Sequence, residues 1–276
     1  MTALLAARAV TLGYDQRVIV RDLSLDIPTG AVTVIVGPNA CGKSTLLRAF
    51  GRLLRPQRGT VLLDGQDLRT LSPRAVARRI AVLPQSAVAP EGITVADLVA
   101  RGRQPHQHWW RQWSDSDEAA MTAAMERADV AGLADRFVGE LSGGQRQRVW
   151  LAMALAQDTE ILLLDEPTTF LDIAHQIDVL NLVRQLNRQR RRTVVAVLHD
   201  LNQACRYADH LVAMADGRIV AQGRPGEVVT AELVGEVFGL DCVVVPDPVT
   251  GTPLVVPGHL PEPVSEPEPE QATATA

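Results

Sequence analysis

Lys43 and Ser44 stand near the end of GPNACGKST, residues 37–45, a stretch that fits G-x-x-x-x-G-K-[ST]. Those residue types in that order grip phosphate. Gly37 and Gly42 let the backbone fold back so that consecutive N–H groups point at one spot. Lys43 adds a full positive charge for the outer phosphates, and the Ser44 hydroxyl suits Mg²⁺. The apolar run Val32 to Val36 comes before it and predicts a buried parallel strand. Thr45 to Gly51 predicts a helix whose N-terminal dipole adds to the anion site. The nine residues from Gly37 through Pro38, Asn39, Ala40, Cys41, Gly42, Lys43 and Ser44 to Thr45 are therefore the candidate nucleotide cradle.

Two further stretches follow in fixed order. Residues 161–166, ILLLDE, are four aliphatics and then Asp165-Glu166. A buried strand ending in carboxylates is expected there, at the edge where open α/β sheets bind ligands. Asp165 is placed to hold Mg²⁺ through water, and Glu166 to polarise an attacking water. Residues 141–145, LSGGQ, precede the helical pattern QRQRVWLAMALAQ. Ser142 and the N–H groups of Gly143 and Gly144 then lie at a second helix N-terminus, a second anion site.

With these motifs in view, the chain resembles the ATPase subunit of ATP-binding cassette (ABC) transporters over about residues 5–255. The resemblance implies a P-loop NTPase (RecA-like) α/β fold: a mostly parallel sheet, an antiparallel β-subdomain and a helical subdomain. It implies that Tyr14, ahead of the first strand pair, stacks on adenine. Gln85, in VLPQS, becomes a residue that touches Mg²⁺ and the water and senses the permease. Asp172, in TTFLD, becomes an aspartate facing the partner subunit, and His199, in VVAVLHD, holds the γ-phosphate and Glu166 in register. It also implies a split site. Ser142, Gly143, Gly144, Gln145 and Asp172 of one chain close over the P-loop of another, so a homodimer binds two ATP. Ala40 stands where relatives mostly carry Gly; a methyl is tolerated there provided the residue is not left-handed.

Composition points the same way. A chain of 276 residues can bury a large core as one domain with subdomains. Cys41, Cys205 and Cys242 have spacings of neither a disulfide framework nor a metal site. No signal-peptide pattern and no run of about 20 apolar residues occurs. The expected place is the cytoplasmic face of the inner membrane, peripheral, with separate permease subunits supplying the spanning helices. The net charge is −5, and the acidic tail PEPVSEPEPEQATATA carries four of those charges. The body is then nearly neutral and offers no footprint for nucleic acid.

The elements that must position these residues follow from periodicity. Residues 4–30 and 59–68 predict short antiparallel strands with turns. Residues 88–155 predict a helical subdomain, with Thr94 capping VADLVARGR and DEAAMTAAMERADV amphipathic. Residues 156–225 alternate strand and helix, which implies right-handed parallel crossovers. The ATPase domain is expected over 1–258, with a small C-terminal piece at about 226–258 and a disordered tail at 259–276. In RGRQPHQHWWRQW, Trp109, Trp110 and Trp113 suit a structural loop or nucleic-acid stacking. ITVADLVARGRQPHQ, TTFLDIAHQIDVL and LHDLNQACRYADHLVAMADGRIVAQG resemble the ATPases of ferric-siderophore importers, whose permeases pair with an extracytoplasmic binding protein. For the three tryptophans that resemblance implies instead a surface near Gln85 on which the permease docks. Haem or cobalamin import, or a soluble non-transport ABC ATPase, are the alternatives.

Overall fold

A computed structural model describes residues 4–107, 113–169 and 171–258; Trp109, Trp110 and the acidic tail lie outside the described residues. The chain opens with a hairpin of β1 (Leu5–Tyr14) and β2 (Arg17–Ile27), then β3 (Val32–Val36) and α1 (Lys43–Phe50). Next come β4 (Arg58–Leu63), β5 (Gln66–Asp67), α2 (Pro73–Ala77) and β6 (Ile80–Leu83). Helices α3 (Val95–Ala100), α4 (Asp115–Arg127) and α5 (Gly143–Ala156) follow without an intervening strand. The chain then alternates: β7 (Ile161–Asp165), α6 (Ile173–Arg190), β8 (Thr193–Val197), α7 (Leu201–Tyr207), β9 (His210–Ala215) and β10 (Arg218–Gly223). It closes with α8 (Pro225–Val228), α9 (Ala231–Phe238) and the hairpin β11 (Cys242–Pro246) and β12 (Pro253–Pro257).

Continuous aliphatic runs put three strands at the centre. Every residue of VTVIV, ILLLD and TVVAV is buried, as strands covered on both faces require. They belong to a six-stranded sheet of order β10-β9-β3-β8-β7-β6, parallel except for the β10 edge. Fully buried Leu163 and Leu164 each contribute roughly 1.5–3 kcal/mol, which makes this sheet the rigid platform of the molecule. One face packs on the antiparallel sheet β2-β1-β4-β5 with α1 between; the other carries the helices.

The strands β1 and β2 are longer than the short strands that the sequence predicts, at 10 and 11 residues. Bulges explain it: Ala9 (φ 47) and Asp22 (φ 45) step out of the ladder, and pairing resumes beyond them. Tyr14 is the last residue of β1, inside the first strand pair and not ahead of it. Helix α1 begins at Lys43, two residues earlier than expected.

The three consecutive helices are held by a buried ion pair. Arg103 Nε donates to Asp117 Oδ1 at 2.9 Å, and its Nη1 donates to the Ala156 carbonyl at 2.8 Å. Burial pushes the Asp117 carboxyl up, but hydrogen bonds from Ser114 and Arg103 outweigh it and leave the group below its ordinary range. This segment ends in α5, whose start is the Ser-Gly-Gly turn.

Candidate phosphate site at the carboxyl edge of the sheet

Four adjacent strands, β3, β8, β7 and β6, deliver the candidate residues to one edge. The cradle leaves the end of β3, Asp165 ends β7 with Glu166 next, His199 lies two residues past β8, and Gln85 two past β6. This is the edge where an open α/β sheet binds its ligand. A cavity of about 520 Å³ opens there, and its described lining includes Asn39, Ala40, Gly42, Lys43, Ser44, Thr45, Gln85, Glu166 and His199.

The cradle's shape rests on its glycines. Gly37 has φ 150, and a Cβ there would meet the Met214 carbonyl oxygen at 2.1 Å. Gly42 has φ 107, and its Cβ would press on Val20 Cγ2 at 2.8 Å. Ala40 is also left-handed, at φ 62. The proviso attached to it from sequence is thus not met: its methyl is accommodated in a strained conformation. Pro38 and Asn39 form the outer turn, and the Cys41 N–H donates to the Pro38 carbonyl at 3.4 Å. Cys41 is buried, which pushes its thiol up while nearby Lys43 pulls the other way, so it stays a neutral packing group.

Lys43 is 5% exposed and donates from Nζ to the Gly37 and Pro38 carbonyls, both at 2.8 Å. Ser44 Oγ donates to Asp165 Oδ1 at 2.7 Å. Burial pushes the Asp165 carboxyl above its ordinary range; the Ser44 bond opposes this and the charge of Glu166 adds to it. Glu166 accepts from Gln85 Nε2 at 2.7 Å and faces His199 Nε2 at 2.6 Å. Its backbone is left-handed (φ 54), a strained conformation of the sort that recurs at reacting centres. One carboxylate thus has an amide and an imidazole on its two oxygens, a geometry able to hold a water and relay its proton.

The remaining sequence candidates lie elsewhere. Ser142 caps α5, accepting from the Gln145 N–H at 3.2 Å while Gln145 Oε1 accepts from the Ser142 N–H at 3.1 Å. Ser142 and Gly143 are exposed, and Gly144 is half-buried. Asp172 caps α6, accepting from the His175 N–H at 2.9 Å and pairing with its Nδ1 at 2.6 Å. None of these five lines its own chain's cavity among the described residues. Tyr14 does not line it either; its hydroxyl accepts from Arg48 Nη1 at 2.9 Å. Arg17 and Ile19 of β2 do line it, and sequence reasoning missed them. Their approach depends on how the hairpin folds over the cradle, which no local motif encodes.

The profile of the ABC transporter family matches residues 20–169. The chain is 56% identical over 257 residues to the achromobactin transport ATP-binding protein CbrD of Dickeya dadantii (strain 3937), covering 93% of this chain and 95% of that protein. It is 55% identical over 255 residues to the ferric enterobactin transport ATP-binding protein FepC of Escherichia coli (strain K12), covering 92% and 94%. The dimeric structure of MJ0796, a bacterial ABC transporter cassette, superposes with a TM-score of 0.71 at 28% identity, covering 80% of this chain and 98% of that one.

Proposed function

This chain belongs to the ABC transporter family, and from that membership we propose that it is the ATP-hydrolysing subunit of an importer carrying an iron(III)-siderophore chelate across the cytoplasmic membrane. The observation that carries the hydrolytic reading is Glu166, held between Gln85 and His199 in the lining of a cavity that Lys43 and Ser44 also line. The relatives' names support the iron-chelate cargo.

ATP enters with its phosphates on the cradle. The N–H groups of the first turn of α1 have no intrahelical acceptor and are free for phosphate oxygens. Gly37 to Thr45 wrap the phosphates, Lys43 supplies charge, and Tyr14 at the hairpin meets the adenine. Glu166 takes the proton of the attacking water, which Gln85 and His199 help to orient. Ser44, Gln85 and Asp165 are an all-oxygen donor set of the kind that Mg²⁺ accepts alongside phosphate oxygens, and the Ser44–Asp165 contact brings two of them together. Mg²⁺, when bound there, supplies neutralisation of charge on the phosphates.

The partner of each cassette is a second copy. Ser142, Gly143, Gly144, Gln145 and Asp172 are exposed or half-buried and away from their own cavity, as groups that complete a neighbour's site must be. Membrane subunits are the other partners, as the relatives' names as transport ATP-binding proteins support; no described helix of this chain is long and apolar enough to cross a membrane. An apolar groove suits their docking: Val88 is 88% exposed and Phe137 47%, and both line it with Ala87, Pro90 and Arg146. The groove joins the loop three residues past Gln85 to the segment leading into Ser142, so a permease seated there touches both halves of the ATP site. Trp113, two residues before α4, donates from Nε1 to Glu118 at 2.9 Å. An extracytoplasmic binding protein would deliver the chelate to the permease.

The test is reconstitution with the membrane partner and ATP-dependent uptake of labelled iron chelates. Uptake of a siderophore complex supports the assignment. Stimulation by cobalamin or haem alone overturns the cargo, and turnover with no membrane partner in any preparation favours a soluble ATPase.

A further inference from the structure

The hairpin β11–β12 has no place in the chemistry so far, yet it is tied to the segment that carries His199. Asn202, in the first turn of α7, makes a reciprocal pair of hydrogen bonds with the main chain of Val255 in β12. Its Oδ1 accepts from the Val255 N–H at 2.7 Å, and its Nδ2 donates to the Val255 carbonyl at 3.2 Å. A carboxamide alone among side chains offers a donor and an acceptor in this fork, so it mimics a neighbouring strand. Val255 and its cross-strand partner Val244 face the body, with Val255 8% exposed.

The same turn is held on its other flank. Asp200 caps α7 by accepting from the Gln203 N–H at 2.8 Å, and Gln203 Nε2 donates to Gln176 of α6 at 2.9 Å. Tyr207 donates to Asn181 of α6, also at 2.9 Å. His199 precedes this doubly anchored turn by two residues. Its own side chain is 48% exposed, so packing does not aim it. Its Nε2 meets Glu166 Oε1 at 2.6 Å, a contact that the ring can make only while its backbone is held within reach.

We propose that Asn202 is a positioning residue for ATP hydrolysis, through which the C-terminal hairpin fixes the backbone of α7 and hence the aim of His199 at Glu166. The inference rests on the hydrolytic role given to His199 above. A two-stranded ribbon is marginal on its own; packing of Cys242 and Val255 into the core seats this one, and Asn202 is its hydrogen-bonded link to α7. Loss of that link removes one of the two anchors at the start of α7, and Asn202 bonds to Val255 and not to the cradle, which separates its effect from ATP binding.

The experiment compares Asn202→Ala, Asn202→Asp, His199→Ala and the double variant Asn202→Ala/His199→Ala in steady-state ATP hydrolysis, with folding followed by circular dichroism. Asn202→Ala should lower kcat by about tenfold with KM for ATP unchanged, the signature of a misaimed group and not of lost substrate binding. Asn202→Asp keeps the acceptor for the Val255 N–H and loses the donor, so it should fall between. The Asn202 change should take nothing further from the residual rate of His199→Ala. Three results overturn the proposal: a folded Asn202→Ala with wild-type kcat and only a lower melting temperature; the same fractional loss on the His199→Ala background; and wild-type turnover by His199→Ala. The last also removes the role of His199, whereas the first two leave it standing.

Discussion

The two helix N-termini that face phosphate in this reading are built in opposite ways. Helix α1 has Gly42 at its cap, left-handed and with no side chain to satisfy the first turn. Helix α5 has a complete capping box, Ser142 and Gln145 each closing a donor of the other. An uncapped end leaves N–H groups in need of an anion, whereas a capped end is stable by itself. On the proposed function the α1 end makes the primary grip on ATP and keeps its glycine even without a cap's stabilisation. The α5 end can stand exposed until a neighbour brings phosphate to it. On that reading one end completes itself with ligand and the other with a partner.

The sharpest way to break this contrast is to remove chemistry from the α1 side while keeping its grip. Glu166→Gln retains the cradle and the contacts of the carboxamide but loses the base. Turnover should fall by about 10²–10⁴-fold, the usual worth of a general base, while ATP binding persists and a closed dimer accumulates. Phosphate release and size-exclusion chromatography with ATP measure both halves. Undiminished hydrolysis would remove Glu166 from the base role.

Next in size is a test of whether the two ends belong to different chains. Lys43→Ala should abolish ATP binding, and Ser142→Arg should block the α5 end while leaving binding intact. Each variant alone should be inactive. Mixed together they should regain part of the activity, because a mixed dimer pairs one intact cradle with one intact α5 end. Recovery requires sites shared between chains; a mixture as dead as its components would place the whole site within one chain. Ser142→Ala, by contrast, removes the cap alone and should cost about 1 kcal/mol of stability.

The same contrast explains what the sequence made legible. The central sheet was readable because strands buried on both faces must be aliphatic throughout, as VTVIV, ILLLD and TVVAV are. That in turn located Glu166, His199 and Gln85 just past strand ends, where the structure brings them to one cavity, and Asp165 at the end of β7, where it is tied to that cavity through Ser44. The Ser142 cap was readable because capping is local in sequence. What depended on long-range geometry was not. Arg17 and Ile19 reach the cavity through a bulged hairpin whose bulges have no reliable local signal, and those bulges also made β1 and β2 longer than expected. Asn202 looked like any polar residue in a helix until β12 returned to meet it from 53 residues away. Tyr14 was legible as a residue but not in its partner, Arg48.

Ala40 gives the smallest and cleanest test, because it asks whether the α1 loop stores strain that the α5 turn does not. A left-handed L-residue costs roughly 1–2 kcal/mol relative to glycine in the folded state. Glycine in turn loses about 0.4–1 kcal/mol through the greater freedom of the unfolded chain. The folded-state cost is the larger, so Ala40→Gly should stabilise the nucleotide-free protein by about 0.5–1 kcal/mol, read as a higher urea midpoint with unchanged slope. Gly42→Ala should act in the opposite direction, since φ 107 is left-handed and its Cβ would meet Val20 at 2.8 Å. Adding phosphate sharpens the comparison. If the strain at Ala40 is relieved when the N–H groups find an anion, the gain from Ala40→Gly shrinks when ATP is bound. If the gain is the same with and without ATP, the strain belongs to the loop alone and the anion does not reshape it.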